Sequence, residues 1–180
     1  MKPVFGVFLE LTALMILFAV VLRVVIPLPF TIVFILVAQA LATVLIHCPA
    51  HYLVGRFLGI SFRTIKLGPS TLSRVLPPSM RRVGHILVVP SLYVDARSKR
   101  TAAPDRLRAM YMAGIVGSVG AGIMFALLVS LTGSFLASLL TWLFALGYLV
   151  SDLILSPRSG DLLRAKAAMA PERGPASRHV

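Results

Sequence analysis

The stretch FTIVFILVAQALATVLIHCPAH, residues 30–51, decides the fold. From Phe30 to Ile46 it carries no charge, and it ends on His47-Cys48-Pro49-Ala50-His51. A helix of about 20 mostly apolar residues crosses a hydrocarbon core of about 30 Å. The run therefore predicts a membrane span, continuing toward Gly55, with two histidines at one end. The whole chain agrees: of 180 residues, 58% are hydrophobic and 13% charged, and the mean hydropathy is +0.91. That composition excludes an ordinary water-soluble domain.

Three further runs appear on either side. Val4 to Leu22 has Glu10 as its one charged residue, and Pro27 and Pro29 break the helix behind it. Ala109 to Leu131 is uncharged, and Ser134 to Leu155 carries Asp152 alone, with Thr132-Gly133 linking the two as a hairpin. The expectation is an all-α membrane protein with four transmembrane helices at about 4–22, 30–55, 109–131 and 134–155. They form a single membrane domain over 1–170, followed by a flexible tail, 171–180, of Pro, Gly and Ser. Lys2 before an apolar core also fits a signal peptide, but the core is long for one and no Ala-x-Ala site follows, so the first run reads as an anchor that stays. Cys48 is the one cysteine, which excludes an internal disulfide.

Eighteen Lys and Arg against six Asp and Glu give a net charge of +12. No basic domain with interleaved aromatics stands apart from the apolar runs, so nucleic acid is not an expected partner. The lipid bilayer and other membrane proteins or subunits are. Lys and Arg are retained on the cytoplasmic side of a membrane. Residues 56–108 carry eleven basic residues against Asp95 and Asp105, and residues 156–180 carry five. Both segments belong inside, with Lys2, so both termini are expected in the cytoplasm; Arg23 alone dissents. Within the cytoplasmic loop 61–106, the β-type runs Phe62 to Leu67 and Ile86 to Val94 flank a Pro77-Pro78 turn and predict a small β hairpin or sheet. The alternative is an irregular basic loop on anionic headgroups, worth about 1 kcal/mol per Lys or Arg.

Two histidines four residues apart lie on one helix face and can aim at a single metal ion. Interhelical hydrogen bonding is the other use of such a pair inside a membrane, where unpaired polar groups are costly. With the amino terminus inside, Glu10, His47, His51, Asp152 and Asp161 all fall toward the cytoplasmic end of the spans. Gly114, Ser118, Gly122 and Ala126, each four residues from the next, let a neighbouring helix approach closely. They predict packing on the second or fourth span, or an oligomer contact.

In order and spacing, His47 to His51, the following Tyr52-Leu53-Val54-Gly55-Arg56-Phe57-Leu58-Gly59-Ile60, the basic strand Phe62 to Pro69, the strand Val88 to Val94 and the entry Arg108 to Gly114 resemble the site-2 protease family of intramembrane zinc metalloproteases. The likeness spans about residues 31–166. It implies a site-2 protease-like core, with zinc as a possible cofactor on His47, His51 and an aspartate near the end of the fourth helix. Asp161, in Ser156-Pro157-Arg158-Ser159-Gly160-Asp161, is the first choice and Asp152 the second. The family has Asp before Gly at this place, whereas here Gly precedes Asp. No Asn before Pro157 is evident.

The largest departure is at Cys48, where the family carries the glutamate that acts as general base, a contribution of about 10²- to 10⁴-fold. Pro49 is expected to disturb the helix beside it. Two substitutes are open: Glu10 reaching the site from the first helix, or a Cys48 thiolate joining the metal and closing the site. The expected function is that of a metalloprotease homologue, a pseudoprotease that binds membrane partners or serves as an accessory subunit. An active zinc metalloendopeptidase and a small structural subunit without metal are the alternatives.

Overall fold

A computed structural model describes residues 2–23, 30–69 and 88–169. Most of them are helical. In chain order the elements are α1 (Pro3–Arg23), α2 (Phe30–Phe57), β1 (Phe62–Pro69), β2 (Val88–Val94), α3 (Ala96–Thr101), α4 (Pro104–Ser130), α5 (Phe135–Ser159) and α6 (Asp161–Met169). The Pro27/Pro29 break, the Pro77-Pro78 turn and the tail 171–180 lie outside the described residues.

Four helices are long and apolar enough to cross a membrane: Pro3–Val21, Thr31–Phe57, Pro104–Ser130 and Phe135–Pro157. The chain is therefore read as an integral membrane protein, with lipid against faces such as Phe5, Phe8, Met15 and Leu146, which are exposed. On α1 the buried positions are Gly6, Val7, Glu10 and Leu14, one helical stripe. α2 packs principally on α4, α1 lies on α2, and α4 also meets α5 and α6.

The third span begins five residues before the expected Ala109. Pro104 stands at the start of the helix, where its missing N–H costs nothing, and the charged turn Asp105 to Arg108 extends the helix beyond its apolar run. The Ser134 side chain caps α5 by accepting from the Ala137 N–H, and Gly133 takes the positive φ of the hairpin turn, 77°. α2 runs from Phe30 to Phe57 straight through Pro49, so the proline does not end that helix.

β1 and β2 pair antiparallel, with Phe62 opposite Val94 and Pro69 opposite Val88 and an irregularity between Phe62 and Thr64. The hairpin reading of the loop thus holds over these residues. α3 was not expected from the sequence; Asp95 caps it by accepting from the N–H groups of Arg97 and Ser98. Two apolar clusters hold the bundle. One joins Leu14, Ala38, Ala42, Phe125, Val129 and Ala137. The other joins Ile60, Leu107, Met110, Tyr111 and Ala165. Along α4, residues 114–118 fall between the two clusters, and the polar site lies there.

Candidate metal centre

His47 and His51 project from one face of α2 toward α4. The His51 Nδ1 lies 2.7 Å from the Met110 carbonyl oxygen. A carbonyl can only accept, so Nδ1 carries the hydrogen and donates it. The His47 Nδ1 lies 3.0 Å from the Ser118 Oγ, and that hydroxyl donates its own hydrogen to the Thr43 carbonyl at 2.8 Å. Ser118 therefore accepts from His47. In the neutral form both rings thereby carry their hydrogen on Nδ1 and leave Nε2 as a bare acceptor.

The two Nε2 atoms are 3.2 Å apart. Each also approaches the Asp161 Oδ2, at 3.0 Å from His47 and 3.1 Å from His51. Three acceptor atoms thus converge from α2 and α6. One proton bridges one pair of them at a time, whereas a metal ion satisfies all three. Ligand atoms at 2.0–2.2 Å around a tetrahedral zinc stand about 3.3–3.5 Å from one another, within a few tenths of an ångström of this triangle. Two imidazole nitrogens and a carboxylate oxygen also suit zinc in chemical type.

Local structure explains why Asp161 arrives here. α5 ends at Gly160, whose N–H donates to the Ser156 carbonyl at 2.9 Å, and the Leu162 N–H donates to the Ser156 Oγ at 3.0 Å. A Cβ on residue 160 would stand 2.7 Å from that Oγ, so glycine permits the tight reversal that turns α6 toward α2. The Arg164 Nη1 donates to the other Asp161 oxygen at 3.4 Å, but its side chain is 54% exposed and contributes little. Burial works to raise the Asp161 carboxyl. Hydrogen bonds from His47 and His51 in their protonated form, together with their charge, outweigh it and hold the group well below the usual carboxylate range when no ion is bound.

His51 and Asp161 are buried, whereas the His47 side chain is 32% exposed, so the triangle opens on the His47 side. Gly114 makes room for the site. A Cβ there would stand 2.2 Å from the His51 Nε2. The stripe of small residues on α4 meets α2 and α5: Ser118 bonds to Thr43, and Gly122 lies against Thr43 and Ala145. Ala126, the last of the four, is fully buried.

Among the described residues, the group able to hold a metal is His47, His51 and Asp161. Asp152, the second choice for the third ligand, stands outside it with a buried Oδ2 that has no hydrogen-bond partner. Cys48 is also outside. Its thiol donates to the Pro90 carbonyl on β2 at 3.3 Å, because neighbouring residues on an unbroken helix diverge by about 100°. A thiolate closing the metal site is thus not what this geometry provides. Glu10 reaches the bundle interior with its Oε2 buried and unpartnered.

Met110, Thr43 and Gln39 are structural supports that sequence reasoning missed. Gln39 is fully buried and donates from Nε2 to the carbonyls of Gly122, at 3.1 Å, and Thr141, at 3.0 Å. A signal was present: Gln39, Thr43, His47 and His51 recur every four residues on α2. No family model, curated protein or solved structure matches this chain.

Proposed function

We propose that this protein is an integral membrane metalloprotein with a site-2 protease-like core, holding a divalent ion of the zinc type between His47, His51 and Asp161. The observation that carries the reading is the convergence of two Nε2 atoms and one carboxylate oxygen, all acceptors, within 3.0–3.2 Å. The order and spacing of the motif segments support the family likeness. The charge of the loops supports an orientation with both termini cytoplasmic, which puts the centre near the cytoplasmic face.

An ion bound here would supply Lewis acidity, polarising a carbonyl or acidifying a water molecule. The residues of the chain orient it: Ser118 and the Met110 carbonyl hold the two imidazoles in one tautomer, and Gly160 delivers Asp161. Position 48 then decides the use of such a centre. A thiol bonded to β2 takes no proton there, so peptide hydrolysis through that position is impaired. The protein on this reading is a pseudoprotease that binds membrane partners or acts as an accessory subunit of a membrane complex. The second reading is an active intramembrane metalloendopeptidase. It is favoured by one observation, the unpartnered carboxylate oxygen of Glu10.

Metal analysis of the purified protein tests the common part. Zinc near one equivalent, lost in His47→Ala and His51→Ala, is the expected result. Equal zinc in native and variant protein refutes ligation.

A further inference from the structure

The end of the spans remote from His47 and His51 is not filled by side chains. A cavity of about 150 Å³ lies there, where the last turns of α1 and α4 meet the first turns of α2 and α5. All four spans border it, α1 packed on α2 and α5 packed on α4. Thr31 at its rim stands sixteen residues before His47 on α2, about 24 Å along the helix axis. The cavity is therefore separate from the metal centre, and nothing said of it depends on the metal reading.

Its polarity changes along its length. The deep walls are Phe18, Ile35, Leu128 and Phe125, with the rings of Phe18 and Phe125 5.7 Å apart. The rim carries the hydroxyls of Thr31, Thr132 and Ser134, at the helix ends. From Phe125 to Thr132 the helical rise gives a depth of about 10 Å. An apolar cavity of this volume stays dry and accepts a molecule of about six carbons. Left empty, it forfeits van der Waals contacts along its walls. The helix faces around it, such as Val33 and Leu136, are exposed and apolar, so the medium at its mouth is lipid.

We propose that this cavity is a binding site for one acyl chain of a bilayer phospholipid, with the chain end against Phe125 and the ester group at the rim. The two match in polarity from end to end: the chain is apolar at its tip and carries a carbonyl acceptor where it joins the glycerol. Ser134 supplies the complement. Its Oγ accepts from the Ala137 N–H at 3.4 Å, and a hydroxyl that accepts in this way still has a hydrogen to donate to an ester carbonyl. Hydrophobic transfer does not drive the binding, since lipid tails are as apolar as the walls. The gain is the contact made on filling a void, and weak affinity suffices where tails are the solvent. A chain held here touches all four spans at once.

The test uses the full-length protein in phosphatidylcholine vesicles containing a trace of phosphatidylcholine with a photoreactive diazirine at one chain end. Irradiation and peptide mass spectrometry should place adducts on the half-buried Phe18, Ile35 or Leu128 as well as on lipid-facing Val33 and Leu136. Val21→Phe from α1 and Ala137→Phe from α5 each put a six-carbon ring into the space, and each should reduce the cavity adducts about tenfold while the outward adducts stay. Ala137 sits in the apolar cluster, whereas Val21 is half-buried at its edge, so Val21→Phe is the variant that spares the core. Thermal unfolding confirms that it has folded. Adducts confined to the outward faces overturn the proposal. Cavity adducts undiminished in folded Val21→Phe protein overturn it as well. Labelling of the cavity by a diazirine fatty acid but not by the phospholipid overturns the phospholipid as the source of the chain.

Discussion

Replacing Gly114 by alanine adds one methyl group to α4, and the structure says which atom it strikes. The new Cβ would stand 2.2 Å from the His51 Nε2, 2.4 Å from Cε1 and 2.9 Å from Cδ2. Ordinary contact begins near 3.4 Å, so the ring must retreat by more than 1 Å. It cannot do so freely, because its Nδ1 is bonded to the Met110 carbonyl one turn back on the same helix as Gly114. A metal-site ligand must hold its place to within about 0.5 Å. Gly114→Ala should therefore weaken zinc binding by about 100-fold or more, above the 10- to 100-fold that losing a mere support costs. Overpacking should also cost about 1–3 kcal/mol of stability. Competition with a chromophoric chelator reads the first quantity and thermal unfolding in detergent the second. Gly120→Ala is the control, since nothing lies within 4 Å of a Cβ there, and it should leave zinc affinity unchanged. A folded Gly114→Ala protein that binds zinc within about threefold of native would refute the placement of His51 as a ligand, since even a lost support costs more.

Ser118→Ala removes the acceptor of the His47 Nδ1 hydrogen and should weaken zinc about 10- to 100-fold with little change in fold, measured by the same competition. Gln39→Leu breaks two bonds that tie α2 to α4 and α5, and unfolding should show a loss of about 1–2 kcal/mol, with zinc stoichiometry intact. Acidification should release zinc, because protons compete with the metal for its ligand atoms; dialysis at stepped pH checks it. In metal-free protein the depressed Asp161 carboxyl contributes stability that is fully present above the ordinary value of about 3.9 and lost as the pH falls toward its folded value. Asp161→Asn should flatten that acid limb in thermal unfolding at stepped pH.

The spans and the β pair were legible because long apolar runs and short alternating ones are signals that need no partner. What faces what was not, because in lipid the outward face of a helix is as apolar as the inward one. Hence Glu10 could be assigned a depth but no neighbour, and the third ligand stayed open between Asp152 and Asp161 until the Gly160 reversal brought one of them to the imidazoles. Yet one pairing was written in the sequence twice. Gln39, Thr43, His47 and His51 step along α2 by four, and Gly114, Ser118 and Gly122 step along α4 by four. In the antiparallel pair the two ladders meet rung by rung. His51 lies over Gly114, His47 bonds to Ser118, Thr43 meets both Ser118 and Gly122, and Gln39 bonds to Gly122. Each polar side chain on one helix is received by a small residue or a backbone oxygen on the other. Sliding α4 by one turn in one direction would set the bulk of Met110 against His51, and in the other would face His47 with Gly122, which offers no hydroxyl. The match of ladders therefore fixes the register of the two helices, and the register is what sets His51 over Gly114 and His47 beside Ser118.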